Sequence, residues 1–196
     1  DDNWFLVEDI PFVIKAPDWD DDTYSDAQYE YIKQYFTDLL NTLENHGDYS
    51  GLIDEATFID WFIVEEIMKN VDSGYSSVYF YKDKGGLLKM GPIWDFDLSS
   101  GNYGHLQEDL RGPEGWYTSR QEKNIFFYYL MQYSGFRDNL KERWNELYED
   151  VIATLPDKVY EAADSITRSR YDNFGMWDVI GKDTSWYISP EILAID

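Results

Sequence analysis

Three aspartates near the middle of the chain have the spacing to share one acidic site. Asp72 precedes a short alternating apolar stretch, and Asp95 and Asp97 follow a second one. Side chains two residues apart in an extended segment leave on the same side, so we expect the last two aspartates to face together. Two unit charges ~4 Å apart interact by roughly 1 kcal/mol in water and about 4 kcal/mol near a protein surface. A divalent cation would remove this repulsion, and oxygen-only ligands favour magnesium, manganese or calcium.

The same three aspartates also fit a purely structural interpretation. Asp is frequent in turns because its carboxylate accepts hydrogen bonds from nearby backbone N–H groups. In that case each aspartate caps its own turn, and the three never share a site. Spacing alone leaves both interpretations open.

A β-hairpin between the two acidic loops is the element that would bring the aspartates together. The run Val-Tyr-Phe-Tyr alternates with a period of two, and Gly85-Gly86 provides a reversal before the second apolar stretch. Because a hairpin over 77–94 brings its two ends to one edge, we expect Asp72 close to the later pair.

Helices are predicted on both sides of this hairpin. Ser25 and Gln28 form a capping box that opens one helix. Asp54 is placed to cap a second helix, whose apolar residues cover most of its circumference and predict a central buried helix. Glu65 and Glu66 lie near its C-terminal end, where the helix dipole disfavours negative charge. We expect a cation or hydrogen-bond partner there if they are buried; a solvated surface glutamate is the alternative for Glu66.

The flanking segments are simpler. We expect two short strands, over Trp4 to Val7 and Phe12 to Ile14. Pro11 limits any strand there to the edge of a sheet. The segment 99–119 is an irregular, glycine-containing loop, and loops of this length are usually functional or mobile. Further helices are predicted over Gln121 to Tyr133, over a stripe from Phe136 to Val151, and from Asp157 to about Tyr171.

Composition excludes several classes of function. The chain of 196 residues is long enough for one domain with a real core, and its net charge is -23, from 16 basic and 39 acidic residues. Such a surface repels nucleic acid and anionic membranes, and it repels ATP unless metal ions neutralise the phosphates. Without cysteine there is no disulfide, zinc–thiolate site or cysteine nucleophile. No apolar run is long enough to span a membrane.

Several motifs resemble the spore coat protein H (CotH) kinase family, which consists of atypical, secreted or surface-associated protein kinases. The most specific is the string Gly-Pro-Ile-Trp-Asp-Phe-Asp over 91–97. The others are Asn70-Val71-Asp72, the strand Tyr79 to Lys82, and Gly101-Asn102. Weaker similarity extends outward in the same order over most of the chain.

The resemblance implies roles for individual residues. Asp72 falls where the catalytic-loop aspartate of a kinase accepts the substrate hydroxyl proton. Asp95 falls on the metal-binding aspartate of the kinase Asp-Phe-Gly motif, and Asp97 is a second ligand candidate. The kinase pattern has a metal-binding Asn five residues after the catalytic aspartate, but this chain has Ser77 there, whose neutral hydroxyl is a poorer ligand.

Supporting and substrate-side residues follow from the same resemblance. Asn70 and Glu66 are the supporting residues of the catalytic loop. Arg111, Trp116 and Tyr117 lie in the region that corresponds to the activation loop and the substrate side.

The implied fold is α+β and predominantly α-helical, similar to the large lobe of a protein kinase with a short hairpin between the catalytic and metal-binding loops. No Gly-x-Gly-x-x-Gly and no Val-Ala-Ile-Lys-like strand occur, so the small lobe is expected to be largely missing. One kinase-like domain is expected over 1–196, with a lead-in over 1–24, a helical lobe over 25–180 and a tail over 181–196.

The resemblance implies magnesium (or manganese or calcium) and ATP as cofactors, and a protein substrate with a Ser or Thr hydroxyl. Nucleic-acid partners and a membrane span are not expected. The chain begins without Met, so we expect part of a larger multidomain secreted protein, weak or inactive by itself, outside the cell or on the cell or spore surface of a bacterium.

A non-catalytic extracellular binding module, with glycans as one class of ligand, is the competing hypothesis. The aromatic residues Tyr103, Trp116 and Tyr117 would offer it flat stacking surfaces. Calorimetry with Mg-ATP and with oligosaccharides separates the two functions.

Overall fold

Helices dominate the fold, and two small antiparallel sheets accompany them. The computed structural model describes residues 3–74, 76–102 and 112–177. The predicted helix-rich α+β class is confirmed. Tyr103, Arg111 and the tail 181–196 lie outside the described residues. None of the described helices is both long and apolar enough to cross a membrane.

The chain divides into two compact units, one ending at Ile53 and the other beginning at Asp54. The single domain expected over 1–196 stays a prediction. In the first unit, strands β1 (Trp4–Val7) and β2 (Ile10–Val13) pair antiparallel, with Leu6 opposite Pro11. The predicted edge position of Pro11 holds, because each strand of a two-stranded sheet has a free edge.

Helix α1 (Asp26–Glu44) follows this sheet in the first unit. The Ser25 hydroxyl accepts the Gln28 N–H at 3.3 Å and donates to the Gln28 side-chain oxygen at 3.0 Å, which confirms the predicted cap. The buried residues of α1 are Phe36, Leu39, Leu40 and Leu43.

The second unit begins with helix α2 (Glu55–Met68). The elements after it are β3 (Phe80–Tyr81), β4 (Lys89–Met90), α3 (Ile125–Leu130), α4 (Ser134–Tyr148), a 3-10 turn (Ile152–Thr154), α5 (Leu155–Ser165) and α6 (Thr167–Met176).

The core of this unit is built around α2, as its apolar circumference predicts. Phe58 and Phe62 are completely buried, and so are Phe127 of α3 and Phe136 of α4. Trp61 stacks on Phe127 with ring centroids 5.3 Å apart. Each such buried side chain stabilises the fold by roughly 1.5–3 kcal/mol.

The start of α2 is held differently from the prediction. Asp54 stands at the N-cap position, but its side chain accepts no helix N–H. Its carboxylate lies 3.8 Å from Lys89 Nζ, and its backbone N–H donates to Leu88 O at 2.8 Å. Asp54 therefore holds the predicted N-cap position, but the predicted side-chain cap is absent. Its carboxylate pairs with Lys89 of the hairpin instead. The same contacts tie the hairpin to the first turn of α2.

The predicted hairpin is confirmed, but it is shorter than 77–94. Only Phe80 with Met90 and Tyr81 with Lys89 pair as strand residues, while residues 82–88 form the connection. Pairing continues irregularly to Gly91, whose N–H donates to Tyr79 O at 2.6 Å. It ends there because the following residue, a proline, has no N–H to donate.

Two later helices differ from their predictions. The stretch Gln121 to Tyr133 contains only the six-residue α3, because the Asn124 side chain accepts the Phe127 N–H at 3.4 Å and starts the helix late. Helix α4 ends at Tyr148, before Val151, which is exposed.

The last predicted helix is two helices, α5 and α6, separated at Ile166. Neither contains a buried residue. Their large apolar side chains are exposed at Val159, Tyr160, Ile166, Tyr171 and Met176. Without burial, no tertiary contact selects one continuous helix over two short ones.

Candidate functional site

The loop that carries Asp72 leaves directly from the buried end of α2. Lys69 adopts a left-handed conformation and ends the helix, and the Asn70 N–H still donates to Glu65 O at 3.2 Å. Asn70 is 2% exposed, and its side-chain oxygen accepts the Asp72 N–H at 3.1 Å. A buried helix therefore supports the predicted catalytic loop.

Asp72 lies in the same electrostatic neighbourhood as the two later aspartates. Burial raises the pKa of Asp72 above its ordinary value, and the charges of Asp95 and Asp97 raise it further, while Lys123 opposes the rise. Charges act on a pKa in this way only over short distances. Asp95 and Asp97 are thus near enough to Asp72 for their charges to act on it, and a shared site of the three carboxylates stays a prediction.

The ends of the hairpin are also linked by hydrogen bonds. The Ser77 hydroxyl donates to Asp95 Oδ2 at 2.8 Å, and the Trp94 indole N–H donates to Ser77 O at 3.1 Å. Ser77 and Asp95 both have positive φ, at 58° and 68°. Such a conformation is uncommon outside glycine and is often found at functional sites.

Asn102 follows Asp97 and holds the second acidic loop. Its side-chain N–H donates to Asp97 O at 2.6 Å. Its side-chain oxygen is buried and has no hydrogen-bond partner within the described ranges. The Ser100 N–H donates to Met68 O at 2.6 Å, which returns this loop to the end of α2.

The donor set around Asp95 fits a metal ion that is bound together with a nucleotide. No group of three His, Cys, Asp or Glu in the described part of the chain could hold a metal by itself. Magnesium takes one or two carboxylates and completes its shell with phosphate oxygens and water, whereas calcium takes about six to eight oxygen ligands. A shell of the magnesium type could draw its oxygen donors from Asp95, Asp97, Ser77 and the side-chain oxygen of Asn102.

Glu66 is buried near the C-terminal end of α2, shortly before the loop that carries Asp72. It is 7% exposed, so the solvated alternative is wrong. One carboxylate oxygen accepts the backbone N–H groups of Tyr117 at 2.8 Å and Thr118 at 2.5 Å, and the other lies 3.0 Å from Lys69 Nζ. These contacts supply the partners expected for a buried acid at a helix end. They fix the segment 116–118 next to the catalytic loop.

The substrate-side residues separate into different environments. Trp116 is 56% exposed and stacks on Phe62 with centroids 5.7 Å apart. Tyr117 is buried, and its hydroxyl donates to Val71 O at 2.9 Å. The expectation of an exposed stacking surface is therefore wrong at Tyr117, because its ring packs against the catalytic loop. Arg111 lies outside the described residues.

Lys123 is a site residue that sequence reasoning missed. Its Nζ lies 5.2 Å from the centre of the Tyr117 ring, and its charge lowers the pKa of Asp72. Its backbone carbonyl packs so closely on Gly74 that a Cβ there would lie 2.0 Å from it. The Asn124 side-chain N–H donates to Ser73 O at 3.0 Å. The only sequence signal for Lys123 is the scarcity of cations.

Glu65 is a further buried acid close enough to Asp72 for the two charges to interact. It is 3% exposed, and one of its carboxylate oxygens has no hydrogen-bond partner among the described residues. Burial raises the pKa of Glu65 to about 7; a hydrogen bond from the Asn70 side chain opposes the rise, and the charges of Glu66 and Asp72 add to it.

Comparison with known proteins gives one match. A family model described as CotH kinase protein matches residues 14–194. No curated protein and no solved structure matches the chain.

Proposed function

The chain belongs to the CotH kinase protein family, and we propose that it transfers the terminal phosphoryl group of ATP to a Ser or Thr hydroxyl of a protein. Membership implies a kinase-like fold and function in general terms. The proposal is supported by the antiparallel hairpin, which returns the chain from the Asp72 loop toward Asp95 and Asp97, and by the charges of those two aspartates, which act on Asp72. Kinases place their catalytic and metal-binding aspartates on two such loops.

Asp72 is the proposed catalytic residue. It would orient the substrate hydroxyl and accept its proton as the oxygen attacks phosphorus. A carboxylate with a raised pKa is a better proton acceptor near neutral pH, and burial together with the neighbouring charges raises the pKa of Asp72. Asn70 holds this residue through its backbone N–H.

Asp95 and Asp97 are the proposed metal ligands, with Ser77 and Asn102 completing the set of oxygen donors. A bound magnesium ion would supply neutralisation of the phosphate charge. The protein needs this neutralisation because its own net charge is -23. The Ser77 hydroxyl is a weaker ligand than the amide of the kinase pattern and is already hydrogen-bonded to Asp95. We therefore expect weak nucleotide affinity and slow transfer.

Calorimetry with ATP tests this proposal. We expect the wild-type protein to bind ATP in the presence of magnesium and not in the presence of a chelator. Asp95→Ala should weaken binding by about tenfold or more, since it removes a ligand. Asp150→Ala, at an exposed position outside the site, is the matched control and should bind as the wild type does. ATP binding that ignores both magnesium and Asp95→Ala would exclude the proposed metal site.

A non-catalytic module that binds glycans is the second candidate, and the exposed indole of Trp116 favours it. The burial of Tyr117 removes one of its three proposed stacking residues. Oligosaccharide binding that is lost in Trp116→Ala and unchanged in Asp95→Ala would support this module in place of the kinase.

We also propose that the protein acts outside the cell, or on the cell or spore surface of a bacterium, as part of a larger multidomain protein. Its support is the character of the family that its motifs resemble. Fractionation of cells that produce the protein, with detection in the medium or at the surface, tests this proposal.

A further inference from the structure

We propose that Tyr117 and Asn124 are positioning residues that hold the backbone on the two sides of Asp72. The inference rests on the proposed phosphoryl transfer, because it concerns how the aspartate of that same site is kept in place. Positioning supplies much of the catalysis in phosphoryl transfer, so small shifts of this backbone matter for the rate.

Each of the two residues binds a carbonyl oxygen next to Asp72. The Tyr117 hydroxyl donates to Val71 O at 2.9 Å, and the Asn124 side-chain N–H donates to Ser73 O at 3.0 Å. Tyr117 and Asn124 are both 5% exposed, so water hardly competes for these hydrogen bonds. The donors follow their acceptors by 46 and 51 residues. A distant segment of the chain therefore holds the backbone immediately before and immediately after Asp72.

The hydrogen bonds within the loop do not provide this support. The Asp72 N–H donates to the Asn70 side-chain oxygen at 3.1 Å, and the Ser73 N–H donates to Asn70 O at 3.3 Å. Both bonds point back to Asn70, and neither uses the carbonyl oxygens on the two sides of Asp72. Buried carbonyl groups need partners, and Tyr117 and Asn124 supply them.

Close packing supports these hydrogen bonds. The Thr118 hydroxyl donates to Ser73 Oγ at 3.1 Å, and both residues are almost completely buried. A Cβ at Gly74 would lie 2.0 Å from the carbonyl oxygen of Lys123. Since only glycine permits such a close approach of two backbone segments, the loop has little room to move away from the segment 117–124.

Both positioning residues are themselves fixed in place. The Tyr117 N–H donates to the Glu66 carboxylate at 2.8 Å. The Asn124 side-chain oxygen accepts the Phe127 N–H at 3.4 Å at the start of α3, while its nitrogen faces the loop. Because an amide has its acceptor on one side and its donors on the other, these two contacts fix the orientation of the side chain. The loop of Asp72 is thereby tied to the end of α2 and to the start of α3.

Burial decides which role Tyr117 can have. A side chain that is 5% exposed does not offer its ring to a protein substrate or to a glycan. Its hydroxyl is already bound to Val71 O. The effect of Tyr117 on the reaction therefore passes through the loop that carries Asp72, and the same holds for Asn124.

Hydrogen exchange of the Asp72 and Ser73 amides, followed by NMR, tests the proposal directly. Tyr117→Phe removes only the hydroxyl. Asn124→Ser keeps an oxygen that can cap α3 but ends one bond short of the amide nitrogen that reaches Ser73. In each variant we expect the two amides to exchange about tenfold faster, because a buried carbonyl next to Asp72 loses its partner. Wild-type exchange rates in either variant would overturn the proposal.

Tyr35→Phe is the matched control, in the first unit. The Tyr35 hydroxyl donates to Leu52 O at 2.5 Å, so this variant also takes a tyrosine hydroxyl away from a carbonyl outside the helices. We expect the Asp72 and Ser73 amides to keep their wild-type rates in it. Faster exchange of these two amides here as well would mean that they report only a general loss of stability, and the proposal would fail.

Kinetics provide a second readout, which a purely structural role would not move. Tyr117→Phe and Asn124→Ser should lower kcat about tenfold with little change in the KM for Mg-ATP, because they displace Asp72 and leave the proposed metal ligands untouched. Tyr35→Phe should keep the wild-type kcat. A raised KM with unchanged kcat in the two site variants would contradict the proposal. Because hydrogen exchange needs no enzymatic activity, an inactive wild-type protein would refute the proposed function while the exchange rates still decide the roles of Tyr117 and Asn124.

Discussion

Lys123 and Asp72 form the most informative pair of residues in the molecule. Burial and two neighbouring carboxylates raise the pKa of Asp72, and Lys123 acts in the opposite direction. The ammonium group is placed over the buried Tyr117 ring, which fixes its position relative to the catalytic loop. Burial has the largest effect on the pKa of Asp72, and Lys123, from a distant part of the chain, partly opposes the rise.

Removal of this cation should raise the pKa of Asp72 further. In Lys123→Met the aliphatic part of the side chain is kept, while the attraction to the carboxylate and the contact of the ammonium group with the Tyr117 ring are lost. An NMR titration of the Asp72 carboxyl carbon measures the change. Lys141→Met, at an exposed position of α4, should leave the titration as it is in the wild type. A pKa of Asp72 that does not move, or moves down, contradicts the assignment.

Glu65 should make the stability of the protein depend on pH in a defined direction. Its pKa is about 7 in the folded state against an ordinary value of 4.5, so the folded state binds the extra proton between these values. The free energy of unfolding therefore falls as pH rises from about 4.5 to 7. The difference of about 2.5 in pKa corresponds to a loss of up to about 3 kcal/mol.

Glu65→Gln removes this titration. The stability of the variant against urea should therefore change less between pH 5 and pH 8 than that of the wild type. At pH 8 the variant should be the more stable of the two. The pKa of Asp72 is also raised, but Asp72 is present in both proteins, so it does not distinguish them. Parallel stability curves for the two proteins would show that Glu65 does not titrate in this window.

At the scale of elements, the hairpin decides whether the site forms. At Gly91 a Cβ would lie 2.6 Å from Tyr79 Cβ and 2.8 Å from Tyr79 O. Gly91→Ala should therefore push the second acidic loop away from Asp72. We expect a loss of about 1–3 kcal/mol in urea stability and a larger relative loss of Mg-ATP binding.

Gly135→Ala is the control for this substitution, because a Cβ there would meet nothing within 4 Å and the position begins a helix. It should be neutral or slightly stabilising. If Gly91→Ala binds Mg-ATP as the wild type does, the close approach of the strands does not set the geometry of the site.

Elements with strong local signals could be predicted from the sequence. The stripe and cap of α1 and the apolar circumference of α2 depend on neighbouring residues, and both predictions are confirmed. The length of the hairpin, the cap at Asp54 and the late start of α3 depend on contacts between distant segments. Lys89, for example, takes the carboxylate of Asp54, and no local pattern reveals that.

The candidate site divides in the same way. The candidate aspartates come from the motifs over 70–72 and 95–97, whose residue types and spacing resemble those of the family, and their roles stay a prediction. Lys123 and the two backbone N–H partners of Glu66 could not be predicted. They come from a segment about fifty residues further along the chain. That segment carries no motif, and its position is set by packing against Ser73 and Gly74.

For the molecule as a whole, net charge dominates the response to ions. A net charge of -23 destabilises the compact state through self-repulsion, so added sodium chloride should raise the melting temperature by screening. Magnesium at equal ionic strength should raise it further if the site binds the ion in the folded state only. Asp95→Ala should abolish the additional rise and keep the response to sodium chloride. An equal response to both salts in the wild type would count against a specific site.

Helices α5 and α6 contribute a different property, because neither has a buried residue. Helices of about ten residues are marginal in water without tertiary support. We therefore expect their unfolding to be uncoupled from that of the phenylalanine core around α2, so that the chain melts in more than one transition. A calorimetric enthalpy larger than the van't Hoff value, with early loss of helical signal, is the expected signature of α5 and α6.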